Sequence, residues 1–258
     1  LGLSEANEDA QDFAIFRGAG AYHHFIPSAV NHLLLRGEFY TAYTPYQPEV
    51  AQGTLQVIYE FQTLVAELTG MEVANASIYD GATALAEATL VGLAAAKGRD
   101  RVVVSGTVHP AYRGVLRTYL TGSHVDLVEL PTPRDGFATE VSDVHDALGV
   151  EPACLVVQYP NFFGSIEDLA ALADEVQRRG GLLVVATYPV PIGLLRPPGA
   201  FGADLVAAEG QSLGIPQSYG GPYVGLLAAS RRLVRQLPGR IAGLTTDADE
   251  NPGFVLTL

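Results

Sequence analysis

The chain has 258 residues, 48% of them apolar and 17% charged, and it carries 15 Lys and Arg against 28 Asp and Glu for a net charge of −13. At this length a folded chain buries roughly 75% of its unfolded surface, so one large domain, or a large domain with part of a second, is expected. High apolar content excludes general disorder, a single cysteine excludes a disulfide-built fold, no apolar run is long enough to span a bilayer, and the acidity repels nucleic acid.

The first twelve residues, Leu1–Asp12, are acidic and lack the basic start and apolar centre of a signal peptide. With a first residue other than Met, this start reads as a processed or excised segment, and a reducing, cytoplasmic setting is expected. Residues 1–30 are irregular, interrupted by Gly18, Gly20 and Pro27, and His23 and His24 are neighbours that point apart rather than chelate one metal. A Tyr- and Pro-rich loop follows from Phe39 to Pro48. From Glu49 to Leu68, Leu55, Ile58, Phe61, Val65 and Leu68 recur at three- and four-residue steps, which predicts an amphipathic helix closed by Gly70. A second helix is predicted from Ala82 to Ala96, with Asp80-Gly81 before it and Gly98 just beyond. A short buried strand (Arg101–Ser105), a helix (His109–Leu120) and another strand (Val125–Leu130) come next. Apolar runs at Cys154–Gln158 and Leu182–Ala186 flank a helical period from Ile166 to Arg179. Continuous apolar strands alternating with helices predict an α/β fold with a mostly parallel sheet covered by helices on both faces. Ligands in such sheets sit beyond the carboxyl ends of the strands.

Familiar phosphate-loop, dinucleotide, metalloprotease and nucleophile-elbow motifs are absent. Cys154 opens an apolar run and reads as a small core residue. Four segments carry chemistry. In the first, Tyr43, Thr44, Tyr46, Gln47 and Glu49 are stiffened by two prolines, which suits a site wall or an interface; the alternative is a rigid helix start with Glu49 complementing the dipole. In the second, Ser77–Ala86, a small-residue turn opening a helix could cradle phosphate, but Asp80 would face that phosphate and reads better as an N-cap. His109 and Arg113 follow a strand, where α/β sites collect ligands, although Pro110 makes a local capping role for His109 comparably simple. The fourth, Glu209–Pro222, has Gln211, Ser212 and several glycines and prolines on a turn-rich path between strands, either a site or interface loop or a tight turn.

Read together, the stretches TAYTPYQPEVAQG (Thr41–Gly53), NASIYDGATALAEA (Asn75–Ala88), HPAYRGVLRTY (His109–Tyr119), PNFFGSIEDL (Pro160–Leu169), PPGAFGADLV (Pro197–Val206), GQSLGIPQSYGGPYVG (Gly210–Gly225), RQLPGRIAGLTTD (Arg235–Asp247) and GFVLTL (Gly253–Leu258) resemble the P-protein family of the glycine cleavage system, the decarboxylating glycine dehydrogenases, and within it the subunit-1 type of the two-subunit bacterial form. The resemblance implies the large domain of a fold-type-I pyridoxal phosphate enzyme over 41–258, with 1–40 packing on it and a smaller C-terminal domain lying beyond. It implies an enzyme active only as a heteromer, in which glycine dehydrogenase subunit 2 carries the pyridoxal phosphate and the aminomethyl group passes to the lipoyl H-protein.

Catalytic pyridoxal enzymes hold the cofactor on a lysine beside an Asp paired with the pyridinium nitrogen. Where catalytic relatives have His-Lys, this chain has Gln211-Ser212, and its one lysine is Lys97. Thr187-Tyr188-Pro189 follows the Leu182–Ala186 strand without that Asp. Thr107 falls about where relatives place a ring-stacking His, and Asp80 stands at the phosphate cup. The resemblance therefore implies a chain with no catalytic residue of its own and no covalently bound cofactor, its loops shaping the site or an interface. Ala51 and Tyr188 depart from the family's usual Ser and Asp. A structural or regulatory module derived from the same fold is the alternative, and an autonomous lyase using Lys97 a third reading.

Overall fold

The computed structural model describes residues 2–7, 13–14 and 18–257. The remainder of the acidic stretch Leu1–Asp12, and with it part of the expectation for 1–40, lies outside the described residues. In chain order the elements are α1 (Gly2–Glu5), α2 (Ser28–Leu34), α3 (Gly37–Tyr40), α4 (Gln52–Thr69), β1 (Val73–Ala74), α5 (Gly81–Ala95), β2 (Arg101–Val104), α6 (Pro110–Leu120), β3 (Asp126–Glu129), α7 (Val141–Leu148), β4 (Pro152–Gln158), α8 (Leu169–Gln177), β5 (Leu182–Thr187), α9 (Pro189–Ile192), β6 (Leu205–Glu209), β7 (Gly225–Ala229), β8 (Ile241–Thr246) and β9 (Pro252–Thr257).

Seven strands form one sheet in the order β1-β7-β6-β5-β4-β2-β3. The pairs from β3 across to β6 are parallel, whereas β7 runs antiparallel to both β6 and β1. The apolar runs of the sequence are therefore strands buried on both faces, and their side chains divide by parity. Cys154 and Val156 of β4, with Val184 and Ala186 of β5, meet α5 and α6 on one face; Leu155, Val157, Leu183 and Val185 meet α7 and α8 on the other. The α5 helix is apolar around most of its circumference, as suits a helix largely enclosed by other elements. Its small residues Ala84, Ala88 and Gly92 let it lie close over the sheet, with Gly92 against Cys154. Outside the main sheet, the β8–β9 hairpin packs on α4, where Gln62 exchanges hydrogen bonds with the backbone of Ala242 at 2.9 Å each way.

Several boundaries differ from the sequence reading for local reasons. Pro48–Val50 forms a separate 3-10 turn, so α4 starts at Gln52 rather than Glu49; it ends as expected at Gly70, which takes φ +70°. The predicted Ile166–Arg179 helix shrinks to α8, because Glu167 turns inward to bond other loops and Asp168 caps the helix by accepting from Ala171 N–H at 3.1 Å. The short helices α2 and α3 occupy a stretch left without elements in the sequence reading. Neither buries a residue, so neither carries the amphipathic period that marks a helix.

Candidate functional site

The parallel strands β2, β4, β5 and β6 all point their carboxyl ends toward one cavity of about 460 Å³. Its walls come from the segment after each strand: His109, Ala111 and Tyr112 after β2, Gln158 to Phe162 after β4, Thr187 and Tyr188 after β5, and Glu209 ending β6. Asp80 and Ala82 from the start of α5, and Tyr223 before β7, complete the inner side. Ala19, Gly20 and Tyr22 cross the mouth. This crossing segment is held at three points. A ring nitrogen of His109 donates to the Ala19 carbonyl at 3.1 Å, the Tyr22 ring meets Tyr188 edge-on at 5.4 Å, and a ring nitrogen of His24 donates to the Ile215 carbonyl at 2.8 Å.

The start of α5 is the polar centre of the cavity. Asp80 is its N-cap and forms a reciprocal capping box with Thr83: Thr83 N–H donates to Asp80 Oδ1 at 2.7 Å, and Asp80 N–H donates to Thr83 Oγ1 at 3.1 Å. The neighbouring Gly81 N–H donates to Glu209 Oε2 at 2.8 Å. The other Glu209 oxygen accepts from Gln211 N–H at 2.9 Å and Val224 N–H at 3.1 Å. Gly81 is required here, since a Cβ would collide with the Tyr112 hydroxyl and lie 2.9 Å from Glu209 Cβ. Burial raises Glu209 above the ordinary carboxylate range, against its three backbone donors and with a further push from Asp80. Tyr112 and Tyr223 are likewise raised, by burial first and then by the Glu209 and Asp80 charges, and Tyr188 rises chiefly through burial. Among the described residues, no Lys or Arg lines the cavity.

The sequence-predicted residues divide between this cavity and other surfaces. Asp80 and His109 line it. The two readings of His109 both describe part of its role: its Nδ1 accepts from Ala111 N–H at 3.0 Å, capping α6, while its ring stacks on Tyr112 and meets Phe162 edge-on. Arg113 turns away, donating to the Val108 carbonyl and to Glu129. Tyr43, Thr44, Tyr46, Gln47 and Glu49 are exposed on a loop that contributes nothing to the cavity wall. Gln211 and Ser212 are buried just behind the wall; Gln211 Nε2 donates to the Pro222 carbonyl at 2.7 Å, and Ser212 Oγ, next to Tyr188, makes no hydrogen bond of good geometry among the described residues. The cavity's aromatic residues Tyr22, Tyr112, Phe162 and Tyr223 carry no catalytic or binding motif of their own in the sequence. For Glu209 the usable signal in the sequence is a carboxylate directly after the apolar run Leu205–Ala208.

Pyridoxal phosphate is the group this architecture brings to mind, and the residues present do not fit it. Among the described residues no amine reaches the cavity: Lys97 lies beyond the far end of α5, about 24 Å along the helix from Gly81. Thr187 donates its hydroxyl to the Tyr159 carbonyl at 2.6 Å, and no carboxylate follows β5 to pair with a ring nitrogen. The Gly81 N–H, which would face a phosphate, is taken by Glu209. One expectation is corrected. Thr107 does not occupy a ring-stacking position; it is buried among Ser105, Thr139 and Glu167, and the imidazole on the cavity wall belongs to His109. Among the described residues, no three His, Cys, Asp or Glu side chains are grouped to hold a metal, and no helix is long and apolar enough to cross a membrane.

Comparison with known proteins agrees with this architecture. A solved glycine decarboxylase (P-protein) of the glycine cleavage system, in inhibitor-bound form, superposes with a TM-score of 0.91 at 47% identity, covering 100% of this chain and 57% of that one. A sphingosine-1-phosphate lyase from Burkholderia pseudomallei, at 16% identity, shares the fold with a TM-score of 0.65 over 92% of this chain and 58% of its own. The chain is 58% identical, over its full length, to a probable glycine dehydrogenase (decarboxylating) subunit 1 from Thermomicrobium roseum, and 52% identical over 99% of its length to the protein of that description from Geobacillus kaustophilus. It spans 57% and 56% of those two relatives. The family model described as glycine cleavage system P-protein matches residues 3–258. With the sheet order, the strand-end cavity and these matches in agreement, the chain belongs to the glycine cleavage system P-protein family.

Proposed function

We propose that this chain is part of the non-catalytic subunit 1 of a heteromeric glycine decarboxylase, with 41–258 as its pyridoxal-enzyme-like large domain and 1–40 packed against it. The observation that carries the reading is Ser212: in a P-protein fold it leaves the cofactor anchor without an amine, while Lys97 is out of reach. The lysine-bound pyridoxal phosphate then belongs to a partner chain, glycine dehydrogenase subunit 2, and the aminomethyl group released with CO2 passes to a lipoyl H-protein. This chain's own cavity holds no covalent cofactor and performs no step of that reaction.

Its contribution is a surface. Phe25, Leu33, Leu34, Leu35, Tyr40, Tyr43, Tyr46 and Val50 are all exposed within 26 consecutive residues (25–50). A cluster of large apolar side chains of this kind marks an interaction site rather than a solvated face. Tyr43, Thr44, Tyr46, Gln47 and Glu49 lie within it, supplying the polar contacts such an interface needs, while Asp80, His109, Arg113 and Gln211, beside the buried Ser212, brace the loops at the strand ends through their hydrogen bonds. The test is reconstitution of the full-length chain with its partner, measuring glycine-dependent CO2 release with lipoyl carrier as acceptor. Turnover is expected only with both chains, and the paired substitutions Tyr46→Ala and Glu49→Gln are expected to lower it by weakening assembly. Full turnover by the partner alone, or CO2 release by this chain alone, overturns the reading.

A further inference from the structure

The lack of a lysine among the cavity's lining residues bears on where a Schiff base could form, but it says nothing of the phosphate end of the cavity. The start of a 15-residue helix, facing a cavity of about 460 Å³, ordinarily presents free N–H groups and a positive dipole end, the standard recipe for holding a phosphate. Here the donors around that point converge on one internal carboxylate. Glu209 accepts from Gly81 N–H at 2.8 Å, from Gln211 N–H at 2.9 Å and from Val224 N–H at 3.1 Å, which brings together α5, the turn after β6 and the approach to β7. Thr83 N–H is taken in turn by Asp80. Glu209 reaches this position because it is the last residue of β6, a strand buried along its whole length, so its side chain emerges beside Gly81, with no room for a Cβ between them.

We propose that Glu209 is a built-in anion that occupies the phosphate seat of this fold and closes the cavity to phosphorylated ligands, leaving room only for small molecules that lack an anionic group. Two carboxylates, Glu209 and Asp80, face the interior, no cationic side chain among the described residues lines it, and the walls are Tyr22, His109, Tyr112, Phe162, Tyr188 and Tyr223. A phosphate brought against this arrangement meets like charge and finds its donors taken. Loss of cofactor binding is thus fixed at two separate places, the anchor at Ser212 and the seat at Glu209, so restoring a lysine alone does not restore the site. The inference concerns this chain's own cavity and stands whether or not the chain serves as a decarboxylase subunit.

The experiment compares the full-length wild-type chain with Glu209→Ala by thermal denaturation in inorganic phosphate, against chloride at matched ionic strength. Hydrogen exchange is read at the Gly81, Gln211 and Val224 amides. In the variant these three N–H groups are left without an acceptor, so phosphate, and also acetate, is expected to restore stability saturably and to protect those amides. Phosphate is expected to bind the variant about tenfold or more tighter than the wild type, the ratio given by one net hydrogen bond to a charged group. Saturable protection of the same amides by phosphate in the wild type overturns the proposal, as does a folded variant that phosphate and chloride affect alike. Should Glu209→Ala not fold, Glu209→Asp keeps the charge but withdraws it by one methylene. Faster exchange at Gly81 than in the wild type then supports the seat, and unchanged exchange there contradicts it.

Discussion

Replacing Glu167 offers a direct test of how the cavity's loops are held in place. Glu167 is buried, and its carboxylate accepts four hydrogen bonds: Thr107 Oγ1 at 2.8 Å, Asn161 Nδ2 at 2.8 Å and Thr139 Oγ1 at 3.0 Å on one oxygen, and Thr139 N–H at 2.7 Å on the other. It thereby joins the loop after β2, the loop before α7 and the loop after β4 that carries Phe162 into the cavity. Substitution by Ala does not strand all four donors equally. Ser105, Thr107 and Thr139 hydroxyls already lie 2.7–3.2 Å apart and can rotate to donate around their own ring, and Asn161 keeps its bond to the Phe137 carbonyl. The Thr139 N–H has no such alternative. One orphaned backbone donor costs about 1–3 kcal/mol, and adding the lost bond to Asn161 and the void left by the side chain brings Glu167→Ala to roughly 3–5 kcal/mol. Glu167→Gln keeps the shape but sets an amide against one donor, for about 1–3 kcal/mol. Urea denaturation of the full-length chain measures both. If the two variants fall within about 0.5 kcal/mol of wild type, Glu167 does not tie these loops together.

Three further outcomes follow from the same geometry. His109 is held below the ordinary imidazole range by burial, which outweighs the Ala19 carbonyl, with the Arg113 charge adding to the lowering. Its neutral form is the one built in, so its contribution to stability is complete above about pH 6.5, the unfolded value, and declines as pH falls below it. Proteolysis within residues 18–24 should accordingly speed up on acidification toward pH 5.5, and an unchanged rate would show that His109 does not hold that segment. Cys154 is enclosed between α5 and the sheet, and burial pushes its thiol up to about 12. Peptide mapping after iodoacetamide should find it unmodified in the native protein and alkylated in urea; modification of the native thiol would contradict the packing of α5. Gly81→Ala places a methyl against Tyr112 and Glu209 and should cost about 1–3 kcal/mol by overpacking. Wild-type stability for that variant would mean that Tyr112 is not seated as described.

The sheet was readable because its strands are buried on both faces, which turns Arg101–Val104, Pro152–Gln158 and Leu182–Thr187 into unbroken apolar runs with helical periods between them. The capping of α5 by Asp80 was equally local and equally legible. The cavity was not, because it is assembled from segments spread between Ala19 and Tyr223, most contributing one or two aromatic rings that carry no motif of their own. Thr107 and His109 show the difficulty at its smallest scale. Two residues apart on one turn, one is drawn inward by Glu167 and the other faces the cavity, and only the inward path of Glu167, 60 residues after Thr107, decides which. The Tyr43–Glu49 loop draws the eye by its residue types, yet its side chains are exposed beside other exposed apolar residues and take no part in the cavity wall.

The most direct measurement is borohydride trapping of pyridoxal phosphate on the full-length chain, alone and mixed with the proposed subunit-2 partner, followed by intact mass of each chain and peptide mapping. A reduced adduct on the partner alone, with residues 1–258 of this chain unmodified in both samples, is the predicted result. An adduct within these residues has Lys97 as its only side-chain amine, and finding it there under glycine-dependent turnover would contradict a non-catalytic role.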